Sequence, residues 1–276
     1  MADKHVDDSR ILVPQTVGEL LQILKLLPQI AIWSGGTHLM LHGSAQRYVA
    51  LHDIAELRRV VRSARRVEIG SAVPLGRLRE TGQRFLPAPV LQALDRVGPP
   101  QIANLATAGG IVSVPGVVYP ISSALGLLDA EVELRRGGGS RWISLPSFQQ
   151  DGPVLREGEF VSRIRFQLRS WSHWHMMHFG SSYPGGAPGF AVALDRDKRT
   201  IAEARMLVTT GGARLFRLLD AENDLAGRAL PLTERELRAV VSRVDTVFPE
   251  HTPRLTRHQI AESLRSFLVR MHRSEA

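Results

Sequence analysis

A chain of 276 residues, 43% hydrophobic and 22% charged, is long enough for one large unit or two modest ones with cores of their own. It has no cysteine, which excludes disulfides, thiolate zinc sites, a cysteine nucleophile and any iron–sulfur cluster held by this chain's own thiolates. The formal charge is +8, almost all from arginine, and no helix-turn-helix, zinc-finger or RNA-binding pattern accompanies the densest cluster (Arg58, Arg59, Arg62, Arg65, Arg66), so no nucleic-acid partner is expected.

The segment Met1 to Arg10 is polar and carries acids, which argues against a secretory signal, and no apolar run is long enough to span a bilayer. A cytoplasmic protein without a membrane span is expected. Thr16 and Glu19 form a capping box ahead of Leu20, Leu21, Ile23, Leu24 and Leu27 at helical spacing, and Pro28 stops that helix. Ile30 to Trp33 reads as a short strand running into Ser34-Gly35-Gly36-Thr37-His38. Strands at Tyr48–His52 and Val67–Ile69 follow, then helices near Leu75–Glu80 and Val90–Val97. Gln101 to Val114 is rich in small residues and holds a second glycine pair, Gly109-Gly110. Ile121–Leu128 reads as a helix, and Glu131–Arg135 pairs with Arg141–Ile143 across the Gly137–Gly139 turn.

The texture changes over Gln167 to Ser172. Gly189–Leu194 and Thr200–Val208 read as strands joined by a turn at Asp195–Arg199. Three helices follow: Arg214–Leu225 ending at Gly227, one opened by Thr233 and Glu236, and one opened by Thr256 and Gln259. Strands followed by helices make a separate α+β unit. The expected division is therefore 1–170 and 171–276.

The glycine pairs carry the chemistry. Ser34-Gly35-Gly36-Thr37 and Thr107-Ala108-Gly109-Gly110 combine residues free of a Cβ with hydroxyl donors. Successive backbone N–H groups in such turns form concave nests for anionic oxygens, and two nests across a cleft suit a diphosphate. Neither segment has the Rossmann spacing or a Walker A lysine. His173, His175 and His178 cluster around Trp174, Met176 and Met177, but Trp171 to His175 reads as an edge strand with alternating faces, not as a metal site. His38 stands beside the first glycine pair, and Ser181 to Gly186 reads as an exposed loop. No paired carboxylates and no nucleophile elbow point to bond-breaking machinery of the chain's own.

Taken in order, these segments resemble the FAD-binding subunit of the xanthine dehydrogenase and carbon monoxide dehydrogenase family, the molybdenum hydroxylases. Ile32 to Leu39 looks like the family's first flavin loop, and Gln101 to Gly110 like its second. Leu127-Leu128-Asp129-Ala130-Glu131-Val132-Glu133-Leu134 is similar to its Leu-Asp-Ala stretch, and Gly211-Gly212 to Arg217, then Glu222 and Leu225 to Gly227, resemble the start of its C-terminal helices. The resemblance implies an α+β fold: a two-part FAD-binding domain of vanillyl-alcohol-oxidase type, followed by a smaller C-terminal α+β domain. It implies an FAD that takes electrons from a small [2Fe-2S] subunit, fed by a large molybdopterin subunit, and reduces NAD+, a quinone or another acceptor. The implied cofactor contacts are Trp33, Ser34, Gly35, Gly36, Thr37, His38, Leu39, Ala106, Thr107, Gly109, Gly110, Ser113, Tyr119 and Leu127. Trp33, Tyr119 and Tyr183 are candidates to stack on the ring.

Several positions depart from the family pattern. Ile111 replaces the usual Asn after the second glycine pair, and Ala103 the usual Arg. Pro115 to Pro120 contains no acid where an Asp is usual, and no Lys or Arg stands around His178-Phe179. Lost polar partners weaken binding. A flavin-free structural or assembly subunit of the same kind of complex is therefore the alternative, with a stand-alone flavoenzyme or nucleotide sensor behind it.

Overall fold

Thr16 caps the first helix as its spacing predicts: its hydroxyl accepts from the Glu19 N–H at 3.1 Å, while the Glu19 carboxylate reaches the Gln15 N–H at 2.8 Å. The structure is a computed structural model that describes residues 10–42, 45–153, 155–178, 188–210, 214–248 and 252–271. Ile11–Leu12 (β1), Val17–Leu26 (α1), Ala31–Trp33 (β2) and Tyr48–Ala50 (β3) form a first layer. Its three strands are parallel in the order β1-β3-β2, and α1 buries Val17, Leu20 and Leu24 with Ile54, Leu57 and Phe160. The turn Leu39–His42 (α2) follows the first glycine loop.

The second layer is an antiparallel sheet of Val60–Arg62 (β4), Arg66–Gly70 (β5), Glu131–Arg136 (β6), Gly139–Ser144 (β7) and Phe160–Gln167 (β8), in the order β4-β5-β8-β6-β7. Its apolar face carries Val67, Ile69, Val132, Ile164 and Phe166. That face is covered by the helices Leu75–Gly82 (α3), Ala88–Asp95 (α4), Pro100–Leu105 (α5), Ala108–Ser113 (α6), Pro120–Gly126 (α7) and Leu145–Gln149 (α8). On the other face, Trp142 lies under the guanidinium of Arg165, 3.9 Å from the ring centre. Burial opposes a charge on Glu133 there, but hydrogen bonds from Arg163 and Ser162 and the charges of Arg163 and Arg135 prevail, holding its pKa at about 2.

A third layer contains the strands His173–His178 (β9), Gly189–Asp197 (β10), Thr200–Thr210 (β11) and Arg214–Arg217 (β12), antiparallel in the order β12-β11-β10-β9. Alternation decides what each face covers. Phe190, Val192, Leu194, Met206 and Val208 meet the helices Leu219–Leu225 (α9), Glu234–Asp245 (α10) and Arg254–Arg270 (α11). Ala191, Ala193 and Leu207 join the core of the second layer. Asp129, at φ 51°, ties the layers by accepting from Arg205 at 3.0 Å and Arg217 at 2.8 Å, and the Trp171 indole N–H donates to the Leu127 carbonyl at 3.0 Å. Among the described residues, no helix is long and apolar enough to cross a membrane.

Several elements differ from the sequence expectation. Arg214 to Leu225 is not one helix: Arg214–Arg217 pairs with Leu207–Thr210, and only Leu219–Leu225 is helical. A vacant sheet edge and a core that takes Leu215 outweigh the helical spacing. Thr256 caps nothing, because α11 already starts at Arg254 behind Pro253, whereas Thr233 and Glu236 form the full capping box. Gln101 to Val114 folds as two short helices. The sequence does not mark the strands Val60–Arg62 and Phe160–Gln167, because arginines interrupt their apolar positions. Phe179, Ser181 to Gly186 (Tyr183 among them) and Gly211-Gly212 lie outside the described residues.

The three histidines do not converge. Strand β9 is an edge, and it turns His175 toward Ser263 at 3.3 Å and Phe267, whereas His178 points to the opposite face and meets Ser123 at 3.2 Å. The His178 ring fills the space opposite Gly189, where a Cβ would stand 2.8 Å from it. Burial, then the charge of Arg96, lowers its pKa from 6.5 to about 4. The folded state therefore favours neutral His178, and the stability tied to it is present above pH 6.5 and is lost as pH falls toward 4. The shift corresponds to about 3 kcal/mol. His178→Gln is expected to flatten the decline in unfolding free energy between those pH values, as read from urea titrations. An unchanged slope would refute the assignment.

Candidate functional site

The site begins with two backbone segments pressed together. Gly35 lies so close to the end of α5 that an added Cβ would stand 1.8 Å from the Leu105 carbonyl oxygen. Gly36 has φ +75° and would set a Cβ 2.8 Å from the Trp33 indole, so this loop requires both glycines. The hydroxyl of Thr107 donates to Ser34 Oγ at 2.8 Å and accepts from the Gly110 N–H at 3.2 Å. One side chain thus caps α6 and joins the two loops.

The two loops do not offer equal donors. In the second, the N–H groups of Ala108, Gly109, Gly110 and Ile111 are taken by Val73 O, Ser71 O, Thr107 Oγ1 and Thr107 O. This corrects the expectation of two open nests: a capped helix start and a strand contact consume the second loop's donors, as the demand to pair buried N–H groups requires. In the first loop, the N–H groups of Gly35, Gly36 and Thr37 have no acceptor among the described residues. Gly36 itself is buried.

A cavity of 170 Å³ opens on this junction. Ser34 through Leu39, Ala106, Thr107, Gly110, Ser113 and Tyr119 line it, and Ile32, Val97, Ile102 and Ile111 give it apolar walls. Among the described residues, neither a carboxylate nor an arginine or lysine lines it. Ile32, Ser34, Gly110 and Ser113 are shared with a second cavity of 660 Å³, bounded by Pro28 to Ile30 and by the Leu155 to Val161 region. Gly109 borders this second space, together with the buried Ser71, whose hydroxyl has no hydrogen-bond partner among the described residues.

Two expected contacts lie elsewhere. Trp33 backs Gly36 and meets Tyr48 edge-on at 5.4 Å, and Leu127 is fully buried in the core of the second layer. Strand alternation turns the indole away from the cavity, and the Leu127 carbonyl accepts from the Trp171 indole in the segment that leads into β9. Val97, Ile102, Ser71 and the Leu155 to Val161 stretch line these cavities without a motif that marks them in the sequence. Ser71 carries no sequence signal, because its place just past strand β5 depends on Gly109, far along the chain, where a Cβ would lie 2.4 Å from its own.

The residues present fit a dinucleotide such as FAD. An anionic centre would find three N–H donors and the Ser34 and Thr37 hydroxyls without an opposing carboxylate, and apolar walls extend beside them.

Comparison with known proteins agrees with this geometry. The family of FAD-binding domains in molybdopterin dehydrogenase matches residues 7–166, and the chain belongs to that family. A xanthine dehydrogenase FAD-binding subunit of Escherichia coli O157:H7 is 29% identical over 244 residues, covering 83% of this chain and 82% of the relative. The fold is shared with a chain of quinoline 2-oxidoreductase from Pseudomonas putida 86 (TM-score 0.77, 19% identity, 96% of each chain covered). It is also shared with a chain of CO dehydrogenase from Oligotropha carboxidovorans (TM-score 0.80, 18% identity, 96% of this chain and 98% of that one).

The packing makes the glycines unequal. Gly35→Ala must move backbone, whereas an added Cβ at Gly110 meets only the Thr107 hydroxyl, at 2.8 Å. Overpacking costs about 1–3 kcal/mol, so Gly35→Ala is expected to lower the melting temperature by several degrees more than Gly110→Ala. Equal melting temperatures would show that the loop contact is looser than described.

Proposed function

We propose that this member of the FAD-binding family holds FAD across its two glycine loops and serves as the electron-transfer flavin subunit of a multi-subunit molybdenum hydroxylase. The observation that carries the reading is the set of three N–H groups, Gly35 to Thr37, that have no acceptor among the described residues and belong to residues lining a cavity in whose described lining no carboxylate stands. These amides, with the hydroxyls of Ser34 and Thr37, would hold the diphosphate, and Thr107 holds Ser34 in place. The apolar walls and Tyr119 would keep water from the planar ends. When bound, FAD supplies electron transfer between partner iron–sulfur clusters and NAD+ or another acceptor.

A chain without cysteine leaves those clusters to another subunit, so a small [2Fe-2S] partner and a large molybdopterin partner complete the assembly. The relative in Escherichia coli O157:H7 is itself named as a subunit, which supports a heteromeric setting. We place the protein in the cytoplasm and divide it into a flavin unit, 1–170, and a C-terminal unit, 171–276. A second reading, a flavin-free assembly subunit of such a complex, draws on Ile111, which is buried in the core while lining the cavity, and on the acid-free Pro115 to Pro120 loop.

Adding FAD to the purified chain and desalting separates the two. The flavin reading expects about one FAD retained per chain. It also expects Ser34→Ala to raise the FAD dissociation constant by about tenfold, the scale of one hydrogen bond to a charged group, in a chain that circular dichroism shows to be folded. A folded chain that refuses FAD supports the assembly reading instead.

A further inference from the structure

We propose that the free edge of the five-stranded sheet, strand β4 and its turn into β5, docks an acidic extended segment of another polypeptide, which pairs with β4 as a sixth strand. Arg58, Arg59, Arg62, Arg65 and Arg66 are all exposed along this edge. The side chain of Arg77 on α3 donates to the Arg58 carbonyl at 3.4 Å, so a sixth guanidinium stands beside them. None of the six is within ion-pair distance of a carboxylate among the described residues. The acids closest in sequence are engaged elsewhere: Glu56 by Arg135 at 2.7 Å and Glu68 by Arg163 at 3.0 Å. Arg62 is held over the Phe85 ring, 5.3 Å from its centre.

The backbone supplies the second half of the argument. Val61 pairs with Glu68, the Arg59 carbonyl accepts from the Gly70 N–H, and the Ser63 N–H donates to the Arg66 carbonyl. In an antiparallel ladder the residues between these turn their N–H and C=O groups outward. Those residues are Val60 and Arg62, and their outward groups have no partner among the described residues. An extended peptide satisfies such a row while its side chains meet the charges. A nucleic acid or an anionic membrane would use the charge alone and leave the row unpaired.

Edge strands also carry charges simply to prevent unwanted pairing. Here the positive charge extends beyond the strand, to Arg58 in the preceding turn and Arg77 on a neighbouring helix, with no acid interspersed. Like charge repels a second copy of the same edge and selects an acidic segment. The inference rests on the reading that this chain works within an assembly, and it is independent of whether flavin is bound.

The test uses the full chain and a fluorescein-labelled peptide of alternating Val and Glu. Binding that weakens as salt rises is expected, with at least a tenfold loss for Arg59→Glu/Arg65→Glu. Arg62→Pro removes the outward N–H and blocks pairing, so it should abolish binding, whereas Arg62→Ala, which removes the same charge, should keep most of it. Circular dichroism checks that each variant is folded, and Arg62→Ala against wild type remains informative if Arg62→Pro is not. The proposal is overturned if the peptide does not bind, since the arginines then only protect the edge. It is equally overturned if a proline-interrupted peptide binds as well, or if a single-stranded oligonucleotide of equal charge competes at equal concentration, since either marks a patch for any polyanion. FAD content measured on the same samples keeps a failure of the flavin reading apart from a failure of this one.

Discussion

The contact of Gly35 with the Leu105 carbonyl is the constraint on which the site depends. It brings the loop after a parallel strand of the first layer against the α5–α6 turn of the second, at a distance no side chain permits. The Ser34–Thr107 hydrogen bond then fixes the register of the two segments, and the same threonine starts α6. Each loop is short, but each is anchored on both sides by regular structure. The cavity is therefore shaped by layers that cannot shift independently, which is how a site keeps its geometry on backbone atoms alone.

Charge holds the rest of the layers in place. Glu133 is nearly inaccessible, and it stays ionised because Arg163 and Ser162 satisfy it. Asp129 does related work at the junction with the third layer, where Arg205 and Arg217 reach it from adjacent strands. Arg205 also engages Glu203, and Glu203 shares Arg169 with Asp195, so the junction is a network more than a set of pairs. Partly buried networks of this kind constrain geometry even where their net stabilisation is small.

The sequence made the local devices legible and the long-range ones less so. Thr16, Thr233 and the glycine turn after Arg136 announced themselves because capping and hairpin turns are decided within a few residues. The glycine pairs marked the cavity, since a missing Cβ is visible in the sequence itself. The helical spacing of Arg214–Arg217 misleads, because its strand character comes from the vacant edge of β11 and not from its own residues. Donor usage is equally invisible: that Gly109 spends its N–H on Ser71 depends on a contact between residues far apart in the chain. The histidines of β9 look like a cluster in one dimension and separate only when strand alternation is imposed.

These distinctions bear on how far the departures from the family pattern reach. Gly35 and Gly109 are required by the packing of this chain whether or not a ligand is present, so a glycine pair alone says little about flavin. Ile111 serves the core and the cavity wall at once, and its N–H is already used by Thr107, so it removes a polar partner from the ligand side without opening a hole. The polar demand of a bound dinucleotide therefore falls on the first loop. Gly36 is buried there with an N–H that meets no acceptor among the described residues, an arrangement that costs free energy in an assembly subunit needing only its shape. An anionic ligand removes that cost, and this favours a chain that still binds what its fold was built around.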